Sequence, residues 1–428
     1  MKIKIETLRN GAVIIHARNP SMKTVAVVAT VHVGSRHETE ATNGISHLLE
    51  HMLFKGTGKY ANATTISREI DTKGGMHNAF TNHETTSIQV RVASEYQAIG
   101  TDVAMELLCT PRLRAADLDR ERPVVCDEIQ MYDVDDRDQV EVGVEALLYG
   151  TNPLGRPIAG RKENVQGVDA KTLRSHYKQH YIGGHVAVAL AGNYTETTAE
   201  TVRKCLNATF KVPTKASGRR VETPPPPKHA QTLVQKAVQP RAFIRIGFAG
   251  PSPKNDKETA AFTLLGYVLG GYSSARLFSI LREKHSLCYS VWSGAIEYAD
   301  VSAMHVGMEL EAENLSKALP LLGAELAKIA QRGVTATELA AVKSYMRGVV
   351  SLALENNLHV AKHLANDYLL YGRVETPEKA LARYEAVTLR EINKVARTYL
   401  QRAQTVINAP TEYMAAAGRL VGKYLETL

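Results

Sequence analysis

Asn43-Gly-Ile-Ser-His47-Leu48-Leu49-Glu50-His51-Met52-Leu53-Phe54-Lys55-Gly56-Thr57 is the stretch on which the reading of this chain turns. Its spacing predicts one short helix with its chemistry on one side. At about 100° per residue, His47 and His51 lie roughly 40° apart, so both imidazoles can reach one ion. Glu50 falls roughly 100° from His51 and roughly 60° from His47, near enough to touch a water on that ion without ligating it. Ile45, Leu48, Leu49, Met52, Leu53 and Phe54 make the surround apolar. Such a helix is expected to be buried, and burying two histidines and a glutamate without partners is costly. A metal ion would satisfy all three.

Two other histidine pairs have the same spacing, His176/His180 and His359/His363, but they enclose Lys and Gln rather than a carboxylate and read as ordinary helix histidines. His47-Leu-Leu-Glu50-His51 is the inverted form of the His-Glu-x-x-His zinc protease motif. Catalytic zinc usually takes three protein ligands, so a third must come from elsewhere. Glu128, in Asp119-Arg-Glu121-Arg-Pro-Val-Val-Cys-Asp-Glu128, is the best candidate. On a helix Glu121 shares its face and is placed to orient a ligand histidine from behind. Pro123 lies between the two and costs about 3 kcal/mol in a helix interior unless the helix kinks or begins there. A helix beginning there would remove Glu121 from that face.

With Ser273-Ser-Ala-Arg-Leu-Phe-Ser-Ile-Leu-Arg282-Glu-Lys-His-Ser-Leu-Cys-Tyr289 in the second half, these motifs resemble the insulinase/pitrilysin family of zinc peptidases, most closely its mitochondrial-processing-peptidase-like branch. The likeness runs from the Asn10-Gly11 turn to the last helices. It implies an α+β fold of two related α/β halves, joined by a Pro-rich linker and forming a clamshell. It implies one Zn²⁺ per chain on His47, His51 and Glu128, with Glu121 behind them and Glu50 as general base. Arg282 and Tyr289 match the family's Arg/Tyr element, which stabilises the transition state or clamps substrate. A peptide substrate is expected to add as a strand along Asn78-Ala79-Phe80, and a homodimer follows because single-length members build one site from two subunits. The alternatives are a scaffold or partner subunit of the same fold, and a metal-binding module without catalysis.

The remaining sequence suits a large enzyme. At 428 residues, 44% hydrophobic and 22% charged, the chain has ample core. Its 52 Lys and Arg against 44 Asp and Glu give +8, without a basic run interleaved with aromatics, so nucleic-acid binding is not expected. A basic protein is an unobvious receptor for strongly basic peptides unless Asp133, Asp135, Asp136, Asp138 and Glu141 line the cavity. No signal peptide, transit peptide or membrane-spanning run is evident, which points to the cytoplasm. Cys109, Cys126, Cys205 and Cys288 are scattered and read as free thiols.

Three regions are expected: residues 1–214 as the metal-binding domain, 215–232 as a linker around Pro224 to Pro227, and 233–428 as a second domain carrying the Arg/Tyr element. Residues 242–249 and 258–269 restart the strand and helix order of residues 24–54, with no histidine in the second helix. This predicts a repeat without metal. Helices are further expected at 273–285, through 312–400 and at 413–428, with strands between 289 and 308.

Overall fold

The computed structural model of the chain describes residues 2–211 and 222–426. They fall into two compact units, one within Met1–Ile129, Pro157–Val221 and Val350–Pro377, the other within Gln130–Arg156, Glu222–Val349 and Glu378–Leu428. Part of the expected linker, residues 215–221, lies outside the described residues, as do the last two residues of the expected closing helix.

The first unit holds a sheet of β1 (Lys4–Thr7), β2 (Val13–Arg18), β3 (Thr24–Val31), β4 (Met76–Thr81), β5 (Thr86–Ala93) and β6 (Val186–Gly192), in the order β1-β2-β6-β3-β5-β4. The second holds β7 (Gln231–Lys236), β8 (Arg241–Ala249), β9 (Ser290–Glu297), β10 (Ser302–Glu311) and β11 (Gln404–Ala409), in the order β7-β11-β8-β10-β9. Without β1, the first order repeats in the second strand for strand. In the first sheet β6 enters parallel to β2 and antiparallel to β3, and in the second β11 enters parallel to β7 and antiparallel to β8. The pseudo-repeat expected from residues 24–54 and 242–269 is therefore a repeat of topology. In the first unit α1 (Ile45–Leu53) follows β3, and in the second the helix Asp256–Gly270 follows β8.

The units do not part at the linker, because each sheet takes cover for one face from the other half of the sequence. The helix Asn357–Tyr371 lays Val360, Ala361, Leu364 and Ala365 on Val13, Ile15, Val28 and Ala189 of the first sheet. Conversely, α5 (Asp136–Tyr149), which lies early in the chain, lays Val140, Val144 and Leu148 on Phe243 and Val406 of the second. The helices expected through 312–400 are five in number, and β11 lies beyond them. Among the described residues no helix is long and apolar enough to cross a membrane.

Histidines gather next to α1. The rings of His32 and His37 are 5.0 Å apart, those of His37 and His180 6.3 Å, and those of His176 and His180 4.5 Å. His176 Nε2 reaches Ser46 Oγ on α1 at 3.1 Å. Burial holds His32 and His180 down to about 4 and His37 and His176 down to about 3. The unfolded chain takes protons on these rings near pH ~6.5, well before the folded chain does. Stability therefore falls as pH drops below that value, by about 1.4 kcal/mol per pH unit for each ring until its folded pKa is reached. The thermal midpoint is expected to lie several degrees lower near pH ~5.5 than near pH ~7.5. A flat profile over that window, measured on metal-free protein, would refute this account.

Candidate metal centre

At nine residues α1 is too short to stand as an isolated helix. Burial makes it: Ile45, Leu48, Leu49, Met52 and Leu53 are each at most 1% exposed. Each contributes about 1.5–3 kcal/mol. The helix starts at Gly44, whose φ of +100° and close approach to the Ala159 carbonyl, 2.5 Å from where a Cβ would sit, admit only glycine. Gly44 has no side chain to cap the helix, and Glu38 does so from the preceding loop. Its Oε1 accepts the Ser46 N–H at 2.7 Å, while Oε2 accepts the Gly44 N–H at 2.8 Å and Asn43 Nδ2 at 3.1 Å.

Glu128 comes from α4 (Ala115–Val134), which runs unbroken through Pro123. Pro123 is exposed, so water can serve the carbonyl left without its N–H. Glu121 accordingly stays on the inner face, buried, with Oε1 2.9 Å from His51 Nδ1 and Oε2 2.5 Å from Lys55 Nζ. Burial raises the Glu121 pKa, but the bonds from His51 and Lys55 outweigh it and hold it below the usual carboxylate value.

An ionised carboxylate can only accept, so the bond to Glu121 puts the His51 proton on Nδ1 and leaves the Nε2 lone pair facing Glu128 Oε2 at 3.2 Å. Lone pair against carboxylate is repulsive unless positive charge lies between them. Burial alone would lower the His51 pKa, but Glu121, Glu128 and Glu50 together raise it, so the site favours such a charge. His47 is held down to about 4 by burial and by the neighbouring His51, and its Nε2 lies 3.7 Å from Glu128 Oε1. The two rings stand 4.8 Å apart. Ligand atoms of His47, His51 and Glu128 lie within 4.8 Å of one another, the only such group among the described residues. Two neutral imidazoles and one carboxylate are a donor set suited to zinc, with room left for a fourth ligand.

Glu50, on the same helix, lies outside that trio. Its Oε2 accepts the Thr81 hydroxyl of β4 at 2.7 Å, and burial raises its pKa. β4 is the edge of its sheet. On it Asn78 is exposed, Ala79 is buried, and Phe80 lies half-buried with the Lys362 ammonium 4.5 Å from its ring centre. In the second unit the Arg282 guanidinium lies 4.9 Å from the Phe278 ring and 5.7 Å from that of Tyr289, which is 69% exposed. The helix expected over 273–285 narrows here to a π-helical turn, Phe278–Lys284, a form frequent at functional sites.

Other sequence candidates have structural duties. Buried Asp136 accepts the N–H of Val238 at 3.0 Å and of Gln239 at 2.9 Å, while Glu141 pairs with Arg245 and lies 3.3 Å from His305. These two acids are engaged within the second unit rather than offered to a basic peptide. All four cysteines are free, and burial pushes the Cys126 thiol up and that of Cys288 to about 11, away from thiolate chemistry near neutral pH. Glu38, Lys55 and Thr81 were not foreseen as parts of the site. They meet it through space or through the loop geometry around α1, for which no local spacing is diagnostic.

Residues 13–162 match the family model described as insulinase (peptidase family M16), and residues 167–346 match that of the peptidase M16 inactive domain. The chain is 31% identical over 395 residues to the uncharacterized zinc protease YmxG of Bacillus subtilis, covering 92% of this chain and 95% of that one. It is 26% identical over 415 residues to the probable mitochondrial-processing peptidase subunit beta of Arabidopsis thaliana, covering 95% and 78% respectively. A protease from Helicobacter pylori shares the fold, with a TM-score of 0.89 at 22% identity over 96% of this chain and 99% of that one. With its two sheets, its repeated topology and these matches along nearly its whole length, the chain belongs to the insulinase family, peptidase family M16.

Proposed function

We propose that the chain is a zinc-dependent endopeptidase acting on extended peptides. The observation that carries the proposal is the convergence of two imidazole nitrogens on Glu128 with Glu50 beside them, outside the ligand trio. His47, His51 and Glu128 would hold Zn²⁺, which supplies Lewis acidity toward a carbonyl oxygen and makes water acidic enough to react near neutral pH. Glu50 takes the proton of the attacking water and delivers it to the departing amine. Thr81 aims the Glu50 carboxylate, and Glu121 fixes the His51 tautomer and ring orientation. The free edge of β4 holds the substrate backbone by strand addition through Asn78, Ala79 and Phe80, which favours extended peptides over any one sequence. Arg282 and Tyr289 stabilise the developing oxyanion or clamp the substrate backbone.

We further propose a homodimer in which one subunit gives the metal centre and the other the Arg/Tyr pair. Sedimentation of a fully active chain as a monomer would overturn that assembly. Several relatives carry zinc protease in their names, which supports the chemistry without naming a substrate. The test is metal analysis together with cleavage of a mixed peptide pool read by mass spectrometry. One zinc per chain is expected, with hydrolysis abolished by chelation and restored by zinc. A chain purified without stoichiometric zinc, and cutting equally well in chelator, would sink the proposal.

A further inference from the structure

On the far side of Glu121 from His51, the first unit carries a cavity of about 610 Å³ that the hydrolysis chemistry does not use. Its walls bring together Lys55, Arg112, Arg114 and Arg120, with Asp117 and Glu121 as the acidic members. Four cations against two carboxylates leave net positive charge in a concave site. Two of the three guanidiniums are anchored on one carboxylate. Asp117, almost buried, takes Arg114 Nε at 2.6 Å and Arg120 Nη2 at 2.6 Å, which fixes both planes and leaves the other N–H groups of each fork available. Arg112 reaches the carbonyls of Ala61 and Gly58 only at 3.4 Å each, so its planar group is held weakly. Between Arg112 and Arg114, Leu113 is buried in a left-handed turn with φ of 45°, an apolar anchor between two exposed cations.

The same wall includes the start of α2 (Ala63–Asp71). Asn62 caps the Thr65 N–H at 3.0 Å, leaving the N–H groups of Ala63 and Thr64 outside any intrahelical bond and directed to the N-terminal side. Planar forks and helix N–H groups around a cavity larger than a single phosphate select a phosphoryl anion with more than one charged group. We infer that this cavity binds a small polyanion of the pyrophosphate class. Lys55 is shared between the cavity and the Glu121 that holds His51, so an anion in the cavity competes with Glu121 for Lys55.

Anion binding in this cavity is independent of peptide hydrolysis, and it is tested on metal-free full-length protein by calorimetric titration with pyrophosphate. Saturable binding is expected at near-physiological salt, at least about tenfold weaker in Arg112→Gln/Arg120→Gln. Both side chains are exposed, and unchanged thermal unfolding of that variant without ligand shows that the fold is kept. No saturable binding at millimolar pyrophosphate overturns the inference, as does binding that the double variant leaves untouched. Succinate binding as tightly as pyrophosphate would replace the phosphoryl reading with a carboxylate one. The His51 ring resonance is expected to move on titration, and a ring that stays still while pyrophosphate binds removes the link through Lys55.

Discussion

Glu50→Gln is expected to leave zinc binding intact and to lower peptide hydrolysis by about 10²- to 10⁴-fold, the range that positioned proton transfer supplies. The substitution preserves length and volume. The amide oxygen can still accept the Thr81 hydroxyl that Glu50 Oε2 accepts at 2.7 Å, so the geometry of α1 against β4 should survive. What disappears is the ability to take a proton. Glu50 lies outside the trio of ligand atoms, so the zinc content of the variant, measured by elemental analysis, should equal that of wild type. The defect should appear in kcat more than in KM, because the interaction matters most in the transition state. A variant that loses zinc would make Glu50 a ligand, contrary to its placement. One that keeps both zinc and full activity would transfer the base role to another group.

How far this centre was legible depended on whether its logic was local. His47, Glu50 and His51 sit on a single turn, and their shared face follows from the helical repeat alone. Glu128 answers the need for a third ligand, but only the fold brings its carboxylate to the two rings. For Glu121 the deciding point was whether α4 survives Pro123, and the exposure of that proline lets the helix continue. β11 carries no strand signature in the sequence, because all six of its residues are buried, including Gln404, Thr405 and Asn408, so no alternation marks it. The exchange of covering helices between units was equally invisible, since nothing local to residues 357–371 says which sheet their apolar face will meet. Topological repetition was legible in outline because strand and helix order recurs even where side chains do not.

The largest stability effect is expected at a pair that sequence spacing could not join. Arg36 Nη1 meets Glu84 Oε1 at 2.6 Å, with the two side chains 1% and 5% exposed. Around them Ser35 N–H donates to the Asn82 carbonyl at 3.2 Å, Arg36 N–H donates to the His83 carbonyl at 2.8 Å, and Ser35 Oγ meets His83 Nδ1 at 2.9 Å. Gly34 allows this approach, since a Cβ there would lie 2.1 Å from the Asn82 carbonyl oxygen. The seam ties the loop that carries Glu38, the cap of α1, to the turn between β4 and β5, so it aligns the metal helix with the strand that carries Thr81. Arg36→Met removes one partner of a buried pair and should cost about 3–5 kcal/mol, because Glu84 is left in a place where water cannot replace the guanidinium. Arg36→Met/Glu84→Leu removes both charges and should recover much of that loss, since burying an ion pair costs desolvation that apolar side chains do not incur. Denaturant unfolding of metal-free protein separates the two cases, metal being left out because zinc binding would itself stabilise the folded chain. A single variant within about 1 kcal/mol of wild type would show that the pair contributes no more than an exposed one does. A double variant as unstable as the single would mean that the seam depends on the hydrogen bonds of both side chains, and that neutralising the buried charge is not enough.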